Sequence, residues 1–292
     1  MKQVSKVYPA PNKHWVGDGF HVHGMFNYQE THKNLDPFLM MDYAAPQSFP
    51  ANASTAHRGV GEHPHRGFET VTIAYQGEVE HRDSAGGGGV IGTGDVQWMT
   101  AGAGLMHEEF HSEAFSKAGG IFEMVQLWVN LPAKDKMTAP RYQAITKAQI
   151  PEVDLQGAGI ARLIAGELDG TQGAASTFSP VNLWDVRLKA GHQHTFTIPE
   201  SHNLLVLVLE GTIQINEDHI ARSAELVTFH RGGSDVKIGA NNDAKILILS
   251  GEPLNEPIVG YGPFVMNSRE EILQAMHDVQ SGKFGQIPVR SQ

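Results

Sequence analysis

The stretch EHPHRGFETVTIAYQGEVEH, residues 62–81, sets His63 and His65 on either side of one proline, at the start of an alternating apolar run. In an extended strand, residues i and i+2 share a face roughly 6.5–7 Å apart. Two imidazoles so placed can meet one ion at metal–nitrogen distances of about 2.0–2.1 Å if that face is concave. Pro64 fixes φ and removes a backbone donor, which stiffens the segment. The pair decides nothing alone, because the chain also carries HVH at 21–23 and HQH at 192–194. A second pair separates them: AGAGLMHEEFHSE, residues 101–113, holds His107 and Glu109 at the same spacing. Strand parity turns Glu108 and Phe110 the other way. Residues 66–106 leave room for several short strands, enough to bring the second pair onto a strand beside the first. Three imidazoles and one carboxylate then converge, a donor set for Fe, Mn, Ni, Co or Cu with one or two open positions. Zinc is also compatible, although closed structural zinc sites normally recruit thiolates. Glu69 shares parity with His63 and His65 and is a further candidate, and His111 continues the His107 face.

The elements that must carry these residues read as strands. ETVTIAYQGEVEH alternates through Val71, Ile73 and Tyr75; VQWMTAGAG and FEMVQLWVNLP add two more apolar runs, with the glycine-rich turn DSAGGGGVIGTGD before them. Short runs of this kind, separated by Gly, Asp and Asn, indicate a sandwich or closed barrel. The second half repeats the pattern. IAYQGEVEH (73–81) is echoed by LVLEGTIQI (207–215), an offset of 211 − 77 = 134, and GDVQWM (94–99) by AELVTF (224–229), an offset of 224 − 94 = 130. One duplicated unit with small insertions accounts for both. The expected division is 1–140 and 141–292, with the linker around 131–154. At these offsets the places of His63, His65, His107 and Glu109 fall to Thr197, Pro199, Lys237 and Gly239, so the second unit is expected to hold no metal and HQH to be a turn or surface feature. HVH has no carboxylate in register and is expected at a strand edge. Near the end, SREEILQAMHDVQSG switches to helical spacing: Ser268 and Glu271 form a capping box, Ile272, Ala275, Met276 and Val279 one face, and Gly282 the stop.

Composition narrows the classes. The 292 residues exceed one typical domain. Charge is 22 − 32 = −10, and without a Lys/Arg cluster this disfavours direct nucleic-acid binding. There is no cysteine, which excludes disulfides and thiolate chemistry and fits a reducing compartment. The first residues lack the apolar core of a signal peptide, and the longest aliphatic run, LLVLVL at 204–209, is too short for a membrane span. A cytoplasmic protein is the expectation.

HPHRGFETVT, GDVQWMTAGAGLMHEE, QLWVNLP, NLDPFLMMD (34–42) and GEPLNEPIVGYGPFVMNSREEI (251–272) together resemble the pirin family of the cupin superfamily, in order and over nearly the whole chain. The resemblance implies an all-β bicupin: two tandem jelly-roll-like barrels, the N-terminal one holding a single metal ion, usually iron, with a helix at the C-terminal end. Carried over, the family's ligands are His63, His65, His107 and Glu109, the four chosen by parity, with Glu69 behind them. Fe(II) is the implied cofactor, with Ni, Co, Mn, Cu or Zn as alternatives. The implied activity is a dioxygenase that cleaves flavonols such as quercetin with dioxygen, Glu109 serving as catalytic base and Trp98, Met99, Met106, Phe110 and Phe122 as candidate apolar walls. The alternative is a non-enzymatic iron- or redox-sensing regulator that binds a transcription factor or metabolic enzyme; a third is a cupin acting on another enolic or phenolic compound. No membrane or direct nucleic-acid partner is expected, and a monomer is the default.

Overall fold

The computed structural model describes residues 1–30, 35–52 and 57–289. The chain forms two compact units, each an antiparallel seven-stranded sheet with a four-stranded sheet. Among the described residues, the assigned elements are strands apart from two α-helices and two short 3₁₀ turns. Among the described residues, no helix is long and apolar enough to cross a membrane.

The metal-candidate unit comprises the described residues of Asn12–Asn34, Phe38–Lys147 and Asn255–Gln292. Its large sheet runs in the order Arg141–Ile145, Val96–Thr100, Phe68–Gln76, Gly120–Asn130, Phe38–Phe49, Phe20–Asn27 and Lys13–Val16; its small sheet runs Gly59–His65, Leu105–His111, Val79–Asp83 and Gly88–Ile91. Phe68–Gln76 is buried along almost its whole length, as suits a central strand with neighbours on both sides. Leu105–His111 behaves differently: Leu105, His107, Glu109 and His111 are buried while Met106, Glu108 and Phe110 between them are half-buried, the period of two that places one face inward. An apolar cluster of this unit includes Phe20, Phe49, Phe115 and Phe122. The C-terminal helix Arg269–Gln280 has the expected capping box, and Ile272 and Ala275 pack with Phe264, Met266 and Phe284.

The other unit comprises Met1–Pro11, Leu35–Pro37 and Ala148–Leu254. Its sheets run Val4–Tyr8, Leu226–Phe229, Asn203–Glu210, Ala244–Gly251, Val181–Leu188, Gly159–Ala165, Glu152–Asp154, and Gln193–Thr197, Asp235–Ala240, Thr212–Ile215, His219–Arg222. The duplication read from sequence is repeated in backbone detail. Gly77 and Gly211 both have left-handed φ, +81° and +84°. Gly94 donates its N–H to Ala74 O at 2.7 Å, and Ala224 donates to Val208 O at 2.7 Å.

One expectation needs correction, and the units are interleaved along the chain: residues 1–11 build the second unit and 255 onward the first. The segment expected as linker contributes Arg141–Ile145, an edge strand of the first unit paired with Val96–Thr100, because its Ile145 and Tyr142 find partners on that sheet. The correction concerns HVH, which is not at an edge. Its strand, Phe20–Asn27, lies between Lys13–Val16 and Phe38–Phe49. His21 stacks on Trp15 and contacts Gln47 Oε1 at 2.9 Å, while Phe20 and Val22 are buried.

Candidate metal centre

The four residues chosen by parity sit on two neighbouring antiparallel strands, Gly59–His65 and Leu105–His111, with His107 opposite His63 and Leu105 opposite His65. A register shift after His107 sets Glu109 opposite Val60. One ring nitrogen from each of His63, His65 and His107 lies within 4.8 Å of the others. The His107 ring centroid is 4.2 Å from that of His63 and 4.7 Å from that of His65. A second group, in which His81, His107 and Glu109 meet within the same limit, shares His107. His81 was not singled out from the sequence. Its strand, Val79–Asp83, flanks Leu105–His111 on the other side and pairs His81 with Glu109 and Asp83 with His107. The only local signal for it is another i, i+2 pair, His81 and Asp83.

Carbonyl oxygens set the tautomers of two of the histidines, because a carbonyl can only accept. His63 Nδ1–H donates to Gly61 O at 2.8 Å and His65 Nδ1–H to Pro263 O at 3.2 Å. Each leaves Nε2 with its lone pair. Burial, followed by the neighbouring His63, pushes His65 down to about 3; burial and then His65 and His63 push His107 well below its ordinary value. Neutral imidazoles are the form that binds metal. His107 Nε2 is fully buried and has no hydrogen-bond partner. A buried nitrogen with a free lone pair beside two others is what a bound cation would complete, and the donor set fits one. The carboxylate of Glu109 is held by three donors: Gln97 Nε2 at 2.5 Å and Thr72 Oγ1 at 3.3 Å to Oε1, and Gln126 Nε2 at 2.8 Å to Oε2. Glu108, of opposite parity, pairs instead with Arg82 at 2.9 Å.

Comparison with known proteins identifies the family. Residues 19–129 match the family described as Pirin, and residues 183–285 the Pirin C-terminal cupin domain. The chain belongs to the pirin family. It is 54% identical over 285 residues to a Pseudomonas aeruginosa protein named "Putative quercetin 2,3-dioxygenase", covering 97% of this chain and 99% of that one. It is 40% identical over 275 residues to a pirin-like protein of Solanum lycopersicum, covering 92% and 88%. A crystal structure of quercetin 2,3-dioxygenase from Acinetobacter baumannii superposes with a TM-score of 0.94 at 53% identity, covering 99% of this pirin and 100% of that chain.

In this pirin, His63, His65 and Glu109 line a cavity of about 220 Å³. Its other walls are Val16, Phe20, Val22, Met40, Val60, Met124 and Trp128, with Asp42 and Gln126 as polar members. None of the five aromatic and Met residues expected as walls is among them. Met106 and Phe110 have the parity opposite to His107 and Glu109. Met99 packs on Ala101 and Leu105, Phe122 lies in the apolar cluster, and Trp98 is fully buried within the sheet. Apart from Val60, the actual walls come from strands other than that of HPH, which pattern alone cannot assign to a cavity. Asp42 was missed for the same reason; burial raises its carboxyl to about 6.

Glu69, the further candidate, joins neither donor group: it accepts from Thr100 Oγ1 at 2.8 Å. His111 faces inward and contacts Gly19 O at 2.9 Å through Nε2. In the second unit the inward residues of Asp235–Ala240 are Val236, Ile238 and Ala240, while Lys237 and Gly239 alternate with them. Thr197 and Pro199 are exposed. Val236 and Ile238 pack among Trp184, Phe196, Val206 and Ile248, so the interior presents apolar side chains where the first unit presents donors. His192 is exposed and His194 is half-buried against Phe196. The same unit has a larger groove, about 730 Å³, lined by Glu167, Asp169, Thr177 and His202 among others. Its volume is greater, but both donor groups among the described residues lie in the first unit.

Proposed function

We propose that this pirin is a metal-dependent dioxygenase acting on flavonols such as quercetin, with His63, His65, His107 and Glu109 holding one divalent transition metal, Fe(II) in the first instance. The observation that carries this reading is the convergence of three imidazoles, one with an unpartnered buried Nε2, and a carboxylate that lines the same largely apolar cavity as two of them. When bound, the metal would supply Lewis-acid polarisation of the substrate oxygen and a route for dioxygen chemistry. The chain's own residues do the rest. Glu109 accepts the proton of the flavonol 3-hydroxyl; Gln97, Thr72 and Gln126 hold its two oxygens in place while it does so. Phe20, Val22, Met40, Met124 and Trp128 take the aromatic rings and exclude water. The cavity is smaller than the roughly 300–1,000 Å³ typical of drug-sized ligand sites. It would therefore enclose the reacting heterocycle and leave the rest of a flavonol at the mouth.

The test is reconstitution with Fe(II), Mn(II), Ni(II), Co(II) and Cu(II), each followed by aerobic addition of quercetin, with flavonol absorbance and carbon monoxide as readouts. Loss of the flavonol band with release of carbon monoxide is expected with at least one metal. His107→Ala should lose metal and turnover together. Glu109→Gln keeps the size of the side chain but cannot take a proton, and should lower kcat by about 10²–10⁴-fold. No turnover with any of the five metals would overturn the dioxygenase reading, and wild-type kcat in Glu109→Gln would remove the base from Glu109.

A further inference from the structure

His107 differs from His63 and His65 in what fixes its ring. The latter two each donate Nδ1–H to a backbone carbonyl, whereas His107 Nδ1 faces the Nδ1 of His81, at 3.4 Å. The other nitrogen of His81, Nε2, lies 3.0 Å from Asp83 Oδ2, and both side chains are buried. Asp83 is itself anchored: its Oδ1 accepts from the backbone N–H of Ala85 at 2.9 Å and of Gly87 at 2.8 Å.

An ionised carboxylate only accepts, so the hydrogen on this contact belongs to His81 Nε2. A neutral His81 then presents a lone pair at Nδ1, and His107 must be the donor. The opposite order would place a hydrogen on His107 Nε2, a buried atom that has no acceptor. The ring plane of His81 is set by Tyr142, stacked on it at 4.9 Å with the planes 17° apart. The Tyr142 hydroxyl donates to Gln97 Oε1 at 3.2 Å, which turns the amide nitrogen of Gln97 toward Glu109.

We infer that Asp83 and His81 are positioning residues for His107: they fix it as the Nδ1–H tautomer so that its buried Nε2 offers a lone pair to the metal, and Tyr142 couples this arm to the one that holds Glu109. All three imidazoles thereby present Nε2, two through carbonyls and one through a carboxylate–histidine relay. Outer contacts of this kind orient metal-binding histidines and raise their basicity. The inference rests on His107 and Glu109 being metal ligands, but not on the reaction catalysed.

Its test reads tautomers and affinity. In metal-free protein labelled with ¹⁵N-histidine, long-range ¹H–¹⁵N spectra should show His63, His65 and His107 as Nδ1–H forms and His81 as the Nε2–H form. His107 found as the Nε2–H form overturns the inference. Calorimetric titration with Ni(II) alone supplies the second readout. His81→Phe, which keeps a ring against Tyr142, should weaken Ni(II) about 10–100-fold with one site retained. His81→Gln can still accept from His107 and donate to Asp83, and should restore most of that affinity. Equal loss in both variants would mean that His81 is itself a ligand, and wild-type affinity in His81→Phe would mean that it positions nothing; either overturns the inference. Should His81→Phe fail to fold, the wild-type tautomers still decide. A wild-type protein that binds no Ni(II) would instead defeat the four-ligand reading, which the metal-free spectra do not depend on.

Discussion

Glu69 is fully buried, with Thr100 Oγ1 as a hydrogen-bond donor, and burial raises its carboxyl from 4.5 to about 7. A carboxyl whose folded pKa lies above its unfolded one favours the fold while protonated, so this contribution is complete below about pH 4.5 and is lost as pH rises through 7. At ~1.4 kcal/mol per pKa unit, the span is on the order of 3 kcal/mol. Glu69→Gln should therefore be more stable than wild type at pH 8, with the difference shrinking toward pH 4.5; urea denaturation at pH 5 and pH 8 measures it. A gap that does not change with pH would mean that Glu69 stays ionised in the fold. At this scale the sequence carried the two pairs, His63 with His65 and His107 with Glu109, because i, i+2 parity holds within any one strand whatever its neighbours. It did not carry His81, Asp83, Gln97 or Gln126. Their roles depend on which strands lie beside Leu105–His111 and Phe68–Gln76, and pairing partners tens of residues away leave no mark on local spacing. Glu69 shows the converse: correct parity with His63 and His65, yet across the bend at Arg66–Gly67 it turns to Thr100 on the other sheet.

The C-terminal helix was legible in full because its signals are local. Ser268 accepts from Glu271 N–H and the Glu271 carboxylate accepts from Ser268 N–H; Gly282, at φ +76°, follows the end. What the pattern could not give is its target. Ile272 and Ala275 pack on the hairpin Val259–Tyr261 and Phe264–Met266 and on Phe284, with Met106 at the edge of the same cluster. Asp278 pairs with Arg66 Nη2 at 3.0 Å, and Pro263 O accepts from His65. A segment at the end of the chain thus orients a proposed ligand at its beginning. Ser268→Ala should lower stability by about 1 kcal/mol, and Ile272→Ala by about 2–5 kcal/mol, both read from urea denaturation. An Ile272→Ala loss no larger than that of Ser268→Ala would mean that the helix gains little from its apolar face.

The duplication predicts two similar units, and each has the same seven-plus-four strand plan, but the edge position is filled differently. In the first unit the strand beyond Val96–Thr100 is Arg141–Ile145; in the second, the strand beyond Leu226–Phe229 is Val4–Tyr8. The N-terminal residues thereby occupy the place that follows the repeat in the first unit, an exchange that composition does not mark because sheet order is not sequence order. The strand is well anchored. Val4 and Val7 pack on the apolar core of that unit, and Lys2, fully buried, donates through Nζ to Glu200 O, His202 O and Arg231 O. Deleting residues 1–8 removes these bonds and leaves Leu226–Phe229 with an unpaired edge, a template for association with other chains. Loss of a charged donor shared by three carbonyls and of one strand's pairing should be at least ~3 kcal/mol, which for a chain of this size lowers Tm by roughly 6 °C or more. Calorimetry gives the transition and sedimentation the state of association. A lowered transition with aggregation is the expected outcome; a truncated protein that melts within a degree or two of wild type and stays at its wild-type size would show that the second unit is complete without the strand.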